Sequence, residues 1–317
     1  MKAFIRNNYG GPEVLQLQEV DKPIVKDGCI LVRVLANSAN PADWHILRGK
    51  PFFARFTFGL FKPKEKIAGC DFAGIVDQVG NNVTHFKVGQ PVFGESLMGG
   101  AFAEYVCIPE DFCAIIPEGV GFPEMAGLPT AGLTAWQALT THGKIKKGET
   151  VLINGSSGGV GHFAVQLAKA LGAQVTAICS SRNIDFVRSL GADHVVAYDI
   201  DNIHLHSVKY DLVLDVNGNL SYADFRRMGK RGVMVGFTTM RHMISVLFKR
   251  AFGKFPLVSF TANANSRDLK ELALLMQDGR IRTCIDKYFN YKEIPAAIGY
   301  IEDMRTRGKV VMLWNEL

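Results

Sequence analysis

The chain has 317 residues, enough for two domains with separate cores. With 48% hydrophobic and 21% charged residues it has the composition of a soluble globular protein, and its net charge of +6 is spread over 36 basic and 30 acidic residues without the basic tract of a nucleic-acid binder. No window approaches the roughly 18 uninterrupted apolar residues of a membrane helix, and MKAFIRNNYGG lacks the apolar region of a signal peptide, so a cytoplasmic protein with no membrane partner is expected.

Residues 1 to about 115 read as β-rich. Lys2–Arg6, Cys29–Ala36, Phe72–Val76, Gln90–Gly94 and Ala101–Ile108 are short apolar runs separated by Gly and Pro, the pattern of a small barrel or sandwich. Between them, Asn37 to Gly49 reads as an irregular segment opened by Asn40-Pro41, of the kind that lines sites. The pattern changes after Pro117. Pro123–Pro129 and Leu133–Leu139 look helical. From Val151 strands alternate with helices: Val151–Ile153, Gln174–Cys179, His194–Tyr198, Tyr210–Asp215 and Arg231–Gly236, with helices at 161–171 and 183–190. Strands interleaved with helices imply parallel pairing and an open doubly wound sheet. The basic stretch 239–254 reads as a solvated helix rather than one lying over a cleft. Leu257–Phe260 is a sixth strand. Ser266–Gln277 is a helix with Ser266 as its N-cap, and Gly308–Leu313 is a terminal strand.

The most informative stretch is Val151 to Gly161. An apolar strand runs through Gly155-Ser156-Ser157-Gly158-Gly159-Val160-Gly161 into a helix, which presents backbone N–H groups and a helix N-terminus to a phosphate. Ser156 stands where G-x-G-x-x-G has its first glycine. Gly158 lets the backbone approach a pyrophosphate, and Gly161 lets the helix pack closely. NAD-binding domains usually carry an acid about 20 residues on. Val175 to Asn183 has none. It offers Ser180, Ser181 and Arg182, two hydroxyls and a guanidinium suited to a 2′-phosphate, so the expected cofactor is NADP(H).

Asn40–Asp43, Gly69–Val76, Gly132–Trp136, Ser156–Gly161, Leu190–Asp193 and Arg307–Val311 together resemble the medium-chain dehydrogenase/reductase superfamily, within it the zinc-independent quinone oxidoreductase branch. The resemblance runs nearly the full length. It implies an α/β architecture: a GroES-like β-rich barrel from 1–122 and 256–317, and a Rossmann doubly wound domain at 123–255. It further implies a homodimer through the strand near 257–260. Thr134 would face the nicotinamide, and Gly236, Phe237, Phe260 and Ala262 would cradle its ring. Tyr198, Val216 and Asn217 complete the cofactor set.

Zinc-dependent relatives carry a catalytic Cys where this chain has Asn40, and a His where it has Cys70. The six cysteines, Cys29, Cys70, Cys107, Cys113, Cys179 and Cys284, include no C-x-x-C pair and read as free thiols, while His204 and His206 read as solvated. No metal is therefore expected. Without a Lewis acid, the chemistry left is hydride transfer to an acceptor that takes it readily, a quinone or an activated C=C bond. Asn40 is a candidate for holding the ribose or a substrate oxygen. Trp44 and the aromatic run 51–58 are candidates for a pocket wall, with packing on the barrel surface as the alternative. Asp43 is the best candidate acid, although holding the Asn40 loop is its more natural task. The competing functions are an enoyl or alkenal reductase and a non-catalytic NADPH-binding protein.

Overall fold

The computed structural model describes residues 1–201, 208–237 and 239–314. His204 and His206 lie outside the described residues. Two compact units emerge: Met1–Leu133 with Ala264–Gly279 and Thr283–Leu317, and Thr134–Asn263 with Arg280–Arg282.

In the first unit β1 (Lys2–Ile5) pairs antiparallel with β2 (Gln16–Glu19). A larger sheet is built on β3 (Cys29–Ala39), whose Ile30, Leu31, Val32 and Val34 are buried. Around it lie β4 (Asp71–Val79), β5 (Pro91–Glu95), β6 (Tyr105–Pro109), β7 (Cys113–Ile115), β14 (Ile285–Asn290) and β15 (Lys309–Leu313), in the order β14-β15-β3-β4-β5-β7 with β6 also on β3. The terminal strand β15 runs antiparallel to β3, with Val310 opposite Ala39 and Leu313 opposite Ala36. This brings Lys309 beside the end of β3.

Asn37 to Gly49 is not an irregular loop. After β3 it forms a helix, α1 (Pro41–Arg48). Pro41 occupies the first turn, where its missing N–H costs nothing, and the Asn40 N–H donates to Asp43 Oδ2 at 2.7 Å. The polar Asn-Pro-Ala-Asp string is as much a helix start as a turn. A short α2 (Arg55–Phe58) follows, then α3 (Phe122–Ala126) and α4 (Pro129–Gln137). The division between the units falls within α4.

The second unit carries β8 (Thr150–Asn154), β9 (Gln174–Cys179), β10 (His194–Ala197), β11 (Tyr210–Asp215), β12 (Gly229–Met234) and β13 (Leu257–Ser259). They form one parallel sheet in the order β10-β9-β8-β11-β12-β13. The order reverses between β8 and β11, and ligands bind at the carboxyl ends of the strands beside such a reversal. Its helices are α5 (Gly159–Ala170), α6 (Ile184–Ser189), α7 (Tyr222–Met228) and α8 (Met240–Phe252). In α8 Val246 is buried, while Ile244, Phe248 and Phe252, four residues apart, are exposed. It is thus a solvent-facing helix that also exposes an apolar stripe.

In the first unit again, α9 (Ser266–Gln277) buries Leu269, Leu272, Ala273 and Met276. Its cap is Asn265 rather than Ser266: Asn265 Oδ1 accepts from the Asp268 N–H at 2.8 Å. A final helix, α10 (Ile294–Glu302), packs Ile294, Ala297, Ile298 and Ile301 into a core with Phe4, Leu47, Phe102 and Val310.

Candidate functional site

In the second unit, β8 runs into Gly155, whose φ of +86° lies in the left-handed region that favours glycine. The Gly155 and Ser156 N–H groups both donate to the Ile178 carbonyl, at 3.2 and 3.0 Å, which ties the turn to β9. A Cβ on Gly161 would lie 2.0 Å from the Gly155 oxygen, so only glycine lets α5 sit this close to the turn. A Cβ on Gly158 would meet nothing nearer than the same oxygen at 3.9 Å. That face is open, and the chain approaches it with bare backbone. First-turn N–H groups of a helix have no carbonyl partner within it, and here they belong to Gly159, Val160 and Gly161. Ser156 plays a different part from its neighbours. Its hydroxyl is buried and donates to the Ile153 carbonyl at 2.7 Å, so it braces the turn from inside.

Beyond β9, Ser180 leads into a 3₁₀ turn over Ser181–Asn183. Asn183 Nδ2 donates to Ser157 Oγ at 3.0 Å and to Ser180 Oγ at 3.2 Å, joining this turn to the glycine turn. Its Oδ1 is buried without a hydrogen-bond partner. Sequence reading passed over Asn183, and it missed Asp199 altogether. Asp199 follows β10, yet its Oδ1 accepts from the Ser181 N–H and its Oδ2 from the Ser181 hydroxyl, both at 2.7 Å. The Ser181 hydroxyl bond, its N–H and then the charge of Arg182 hold this carboxyl below its ordinary range. Tyr198, beside it, is 60% exposed. These two and Asn154, Ile178, Asn217 and Asn219 border a cleft of about 620 Å³.

At the end of β11, Asp215 accepts from Asn154 Nδ2 at 2.7 Å and from the Gly218 and Leu220 N–H groups at 2.9 Å. This places Val216 and the exposed Asn217 at the strand end. Gly236 and Phe237 follow β12, and Phe260 follows β13, its ring 4.1 Å from that of His142. The Gln137 amide donates to the Asn263 carbonyl at 2.8 Å and accepts its N–H at 3.0 Å, which holds the loop bearing Ala262. Thr134 lies one turn earlier on α4 and is buried.

The first unit holds Asn40, Asp43 and Trp44. Asn40 is 2% exposed, and both ends of its amide are engaged. Nδ2 donates to Asp71 Oδ2 at 2.8 Å, and Oδ1 accepts from Lys309 Nζ. Ser38 Oγ donates to Asp71 Oδ2 at 2.8 Å, while Thr130 gives Asp71 Oδ1 its N–H at 3.0 Å and its hydroxyl at 2.6 Å. Lys309 Nζ lies 3.7 Å from Asp71 Oδ2, with the two side chains 2% and 0% exposed. Burial lowers the Lys309 pKa from its ordinary value, against the pull of Asp71 and Asp43. Two further acids complete the cluster. Burial, helped by the charge of Asp71, pushes the Asp43 carboxyl up to about 6 and that of Glu95 up to about 8. Glu95 Oε1 lies 3.1 Å from Thr130 Oγ1. Burial also pushes the Cys70 thiol up.

Trp44 is partly buried against the core of α10 and stacks on His45 at 3.6 Å. Phe52, Phe53 and Phe56 are exposed.

The residues of the second unit suit a dinucleotide: an open glycine cradle at a helix N-terminus, and hydroxyl and amide groups beyond β9. The first-unit cluster does not suit zinc. Asn40 offers a carboxamide already bonded at both ends, and an ammonium group stands against it. Among the described residues no group of three His, Cys, Asp or Glu side chains is arranged to hold a metal ion. Nor is any helix among them long and apolar enough to cross a membrane.

Comparison with known proteins agrees with this architecture. Residues 26–118 match the alcohol dehydrogenase GroES-like domain, and residues 190–312 match the zinc-binding dehydrogenase family. The chain is 34% identical to the chloroplast envelope quinone oxidoreductase homolog of Arabidopsis thaliana, over 98% of each chain. It is 31% identical to the NADPH-dependent alkenal/one oxidoreductase of the same plant, covering 98% of this chain and 79% of that one. The solved quinone oxidoreductase of Coxiella burnetii superimposes with a TM-score of 0.88 at 31% identity, over 99% of both chains. On this evidence the chain belongs to the medium-chain dehydrogenase/reductase superfamily, with a GroES-like unit and a Rossmann unit and with quinone oxidoreductases among its relatives.

Proposed function

We propose that the protein is an NADPH-dependent oxidoreductase that reduces a quinone or a similarly activated small molecule without a catalytic metal. The observation that carries this is the engagement of Asn40. Where zinc-dependent relatives have a ligand, this chain has a carboxamide bonded to Lys309 and Asp71. The acceptor must therefore take hydride without a metal to polarise it, as quinones and conjugated carbonyl compounds do.

Bound NADPH supplies the hydride. The chain's residues bind and orient. The N–H groups of Gly159 to Gly161 hold the pyrophosphate, and Gly158 leaves bare backbone for it to approach. Ser180, Ser181 and Arg182 face the 2′-phosphate. Val216, Asn217, Gly236, Phe237, Phe260 and Ala262, with Thr134, frame the nicotinamide. Asn40 and Asp43 act as positioning residues: the buried cluster fixes the start of α1 and with it Trp44. In this reading the GroES-like unit holds the acceptor and the Rossmann unit holds the cofactor. All six cysteines are free, which suits a reducing compartment such as the cytoplasm. The edge position of β13 supports a homodimer formed by pairing two such edges.

An acceptor screen with NADPH tests the reading, comparing ortho- and para-quinones, alkenals, enones and simple ketones. Turnover is expected with quinones and not with simple ketones. The similarity to an alkenal/one oxidoreductase makes reduction of an activated C=C bond the second reading, and faster turnover of alkenals than quinones would favour it. Tight NADPH binding with no turnover of any acceptor would instead make this a non-catalytic binding protein.

A further inference from the structure

The segment after β9 contains no acid, but the folded protein puts one there. Asp199 arrives from the end of β10, which lies next to β9 in the sheet, where the Tyr198 N–H continues the pairing by donating to the Cys179 carbonyl at 3.0 Å. Its carboxylate takes both donors of Ser181, the N–H and the hydroxyl, each at 2.7 Å. Two convergent donors of this kind, beside Ser180 and Arg182, are what a 2′-phosphate needs. The cradle is therefore already occupied by an anion belonging to the protein.

We propose that Asp199 is a specificity-determining residue of the cofactor site: it competes with the 2′-phosphate of NADPH for the Ser181 donors and so narrows the preference for NADPH over NADH. This rests on the NADPH reading above. The physical reason is like charge at short range. A cofactor 2′-phosphate must displace Asp199 from Ser181 and then tolerate its negative charge nearby. NADH has only a hydroxyl at that position, which a carboxylate accepts as a hydrogen-bond donor. Arg182 acts in both situations, since its positive charge already stabilises the Asp199 carboxylate. Repulsion between two solvent-exposed like charges that share a donor weakens binding by about 5- to 10-fold. The carboxylate thus works as a brake on NADPH affinity, not as a bar to it.

The test is direct binding of NADPH and NADH to the full chain, followed by calorimetry and by nicotinamide fluorescence. Wild type, Asp199→Asn and Asp199→Ser are compared at one salt concentration. Both substitutions are expected to lower the Kd for NADPH about 5- to 10-fold and to leave that for NADH unchanged or weaker. A second arm asks whether Ser181 is the shared group. Ser181→Ala should cost more NADPH affinity in the Asp199→Asn background than in wild type, because in wild type the hydroxyl gives up its bond to the Asp199 carboxylate when it turns to the cofactor. Equal changes for the two cofactors, or weaker NADPH binding in both Asp199 variants, would overturn the proposal and leave Asp199 as a structural cap on the Ser181 turn. Thermal melting of each variant checks that the unit remains folded. Wild type that binds no NADPH would refute the cofactor reading itself, an outcome separate from a failure of Asp199 to discriminate.

Discussion

Glu95 offers the sharpest test of the buried cluster. Its carboxyl is 2% exposed, its Oε2 has no hydrogen-bond partner, and Asp71 stands close by on the other side of Thr130. Burial and that neighbouring charge push it from 4.5 up to about 8. An acid raised in the folded state keeps its proton while the unfolded chain gives it up. The contribution of Glu95 to stability is therefore fullest below about 4.5, falls as pH rises toward about 8, and levels off above that. At about 1.4 kcal/mol per pH unit, the gap sets a ceiling of about 5 kcal/mol on the loss. Water penetration and relaxation reduce such penalties, and about 2–3 kcal/mol is the working expectation. Glu95→Gln keeps the size and neutrality of the protonated acid, and its amide can donate to Thr130 Oγ1. Near pH 5 the variant should match wild type to within about 1 kcal/mol, the cost of an imperfect hydrogen bond. Above pH 8 it should be the more stable by about 2–3 kcal/mol. Urea unfolding followed by tryptophan fluorescence measures this, since Trp44 and Trp314 both lie in the same unit as Glu95. A stability difference between the two proteins that stays constant from pH 5 to 9 would refute the account of a buried neutral acid.

The other predictions concern single contacts. Gly161→Ala forces a methyl group to within 2.0 Å of the Gly155 oxygen, and should destabilise the Rossmann unit by about 1–3 kcal/mol in thermal melts. Gly158→Ala has room for its methyl and should melt like wild type, but with NADPH binding weakened about tenfold, because that space is where the pyrophosphate approaches. Lys309→Met leaves Asp71 buried without its cation and should cost about 3–5 kcal/mol in urea unfolding, with partial recovery in the double variant Lys309→Met/Asp71→Asn. Arg182→Glu should raise the KM for NADPH far more than that for NADH. Equal effects on both would remove Arg182 from the 2′-phosphate site.

Local chemistry determined a great deal here. The apolar runs at 151–153, 174–179 and 210–215 are strands because buried parallel sheet demands continuous apolar stretches. Of the glycines that mark the turn, Gly155 has a positive φ and Gly161 lies too close to the Gly155 oxygen for a side chain, while Gly158 leaves bare backbone beside open space. The replacement of zinc ligands by Asn40 and Cys70 was equally plain, since it is a matter of residue type. The same local reading failed where one polar string has two uses, as at Asn40–Asp43, which begins α1. It also passed over β14, which forms by pairing with β15, and α10, whose apolar face packs into a core with Phe4, Leu47, Phe102 and Val310. Tertiary structure alone decided the partners. It set Lys309 against Asn40 and Asp71, across 269 residues in the first case. It turned the Ser156 hydroxyl inward. It carried Asp199 across from the neighbouring strand onto Ser181, so that a segment with no acid of its own became one with a carboxylate in its anion cradle. Side-chain charge and hydrogen bonding act through space, and the order of strands in a sheet, unlike the order of residues in the chain, sets which groups meet.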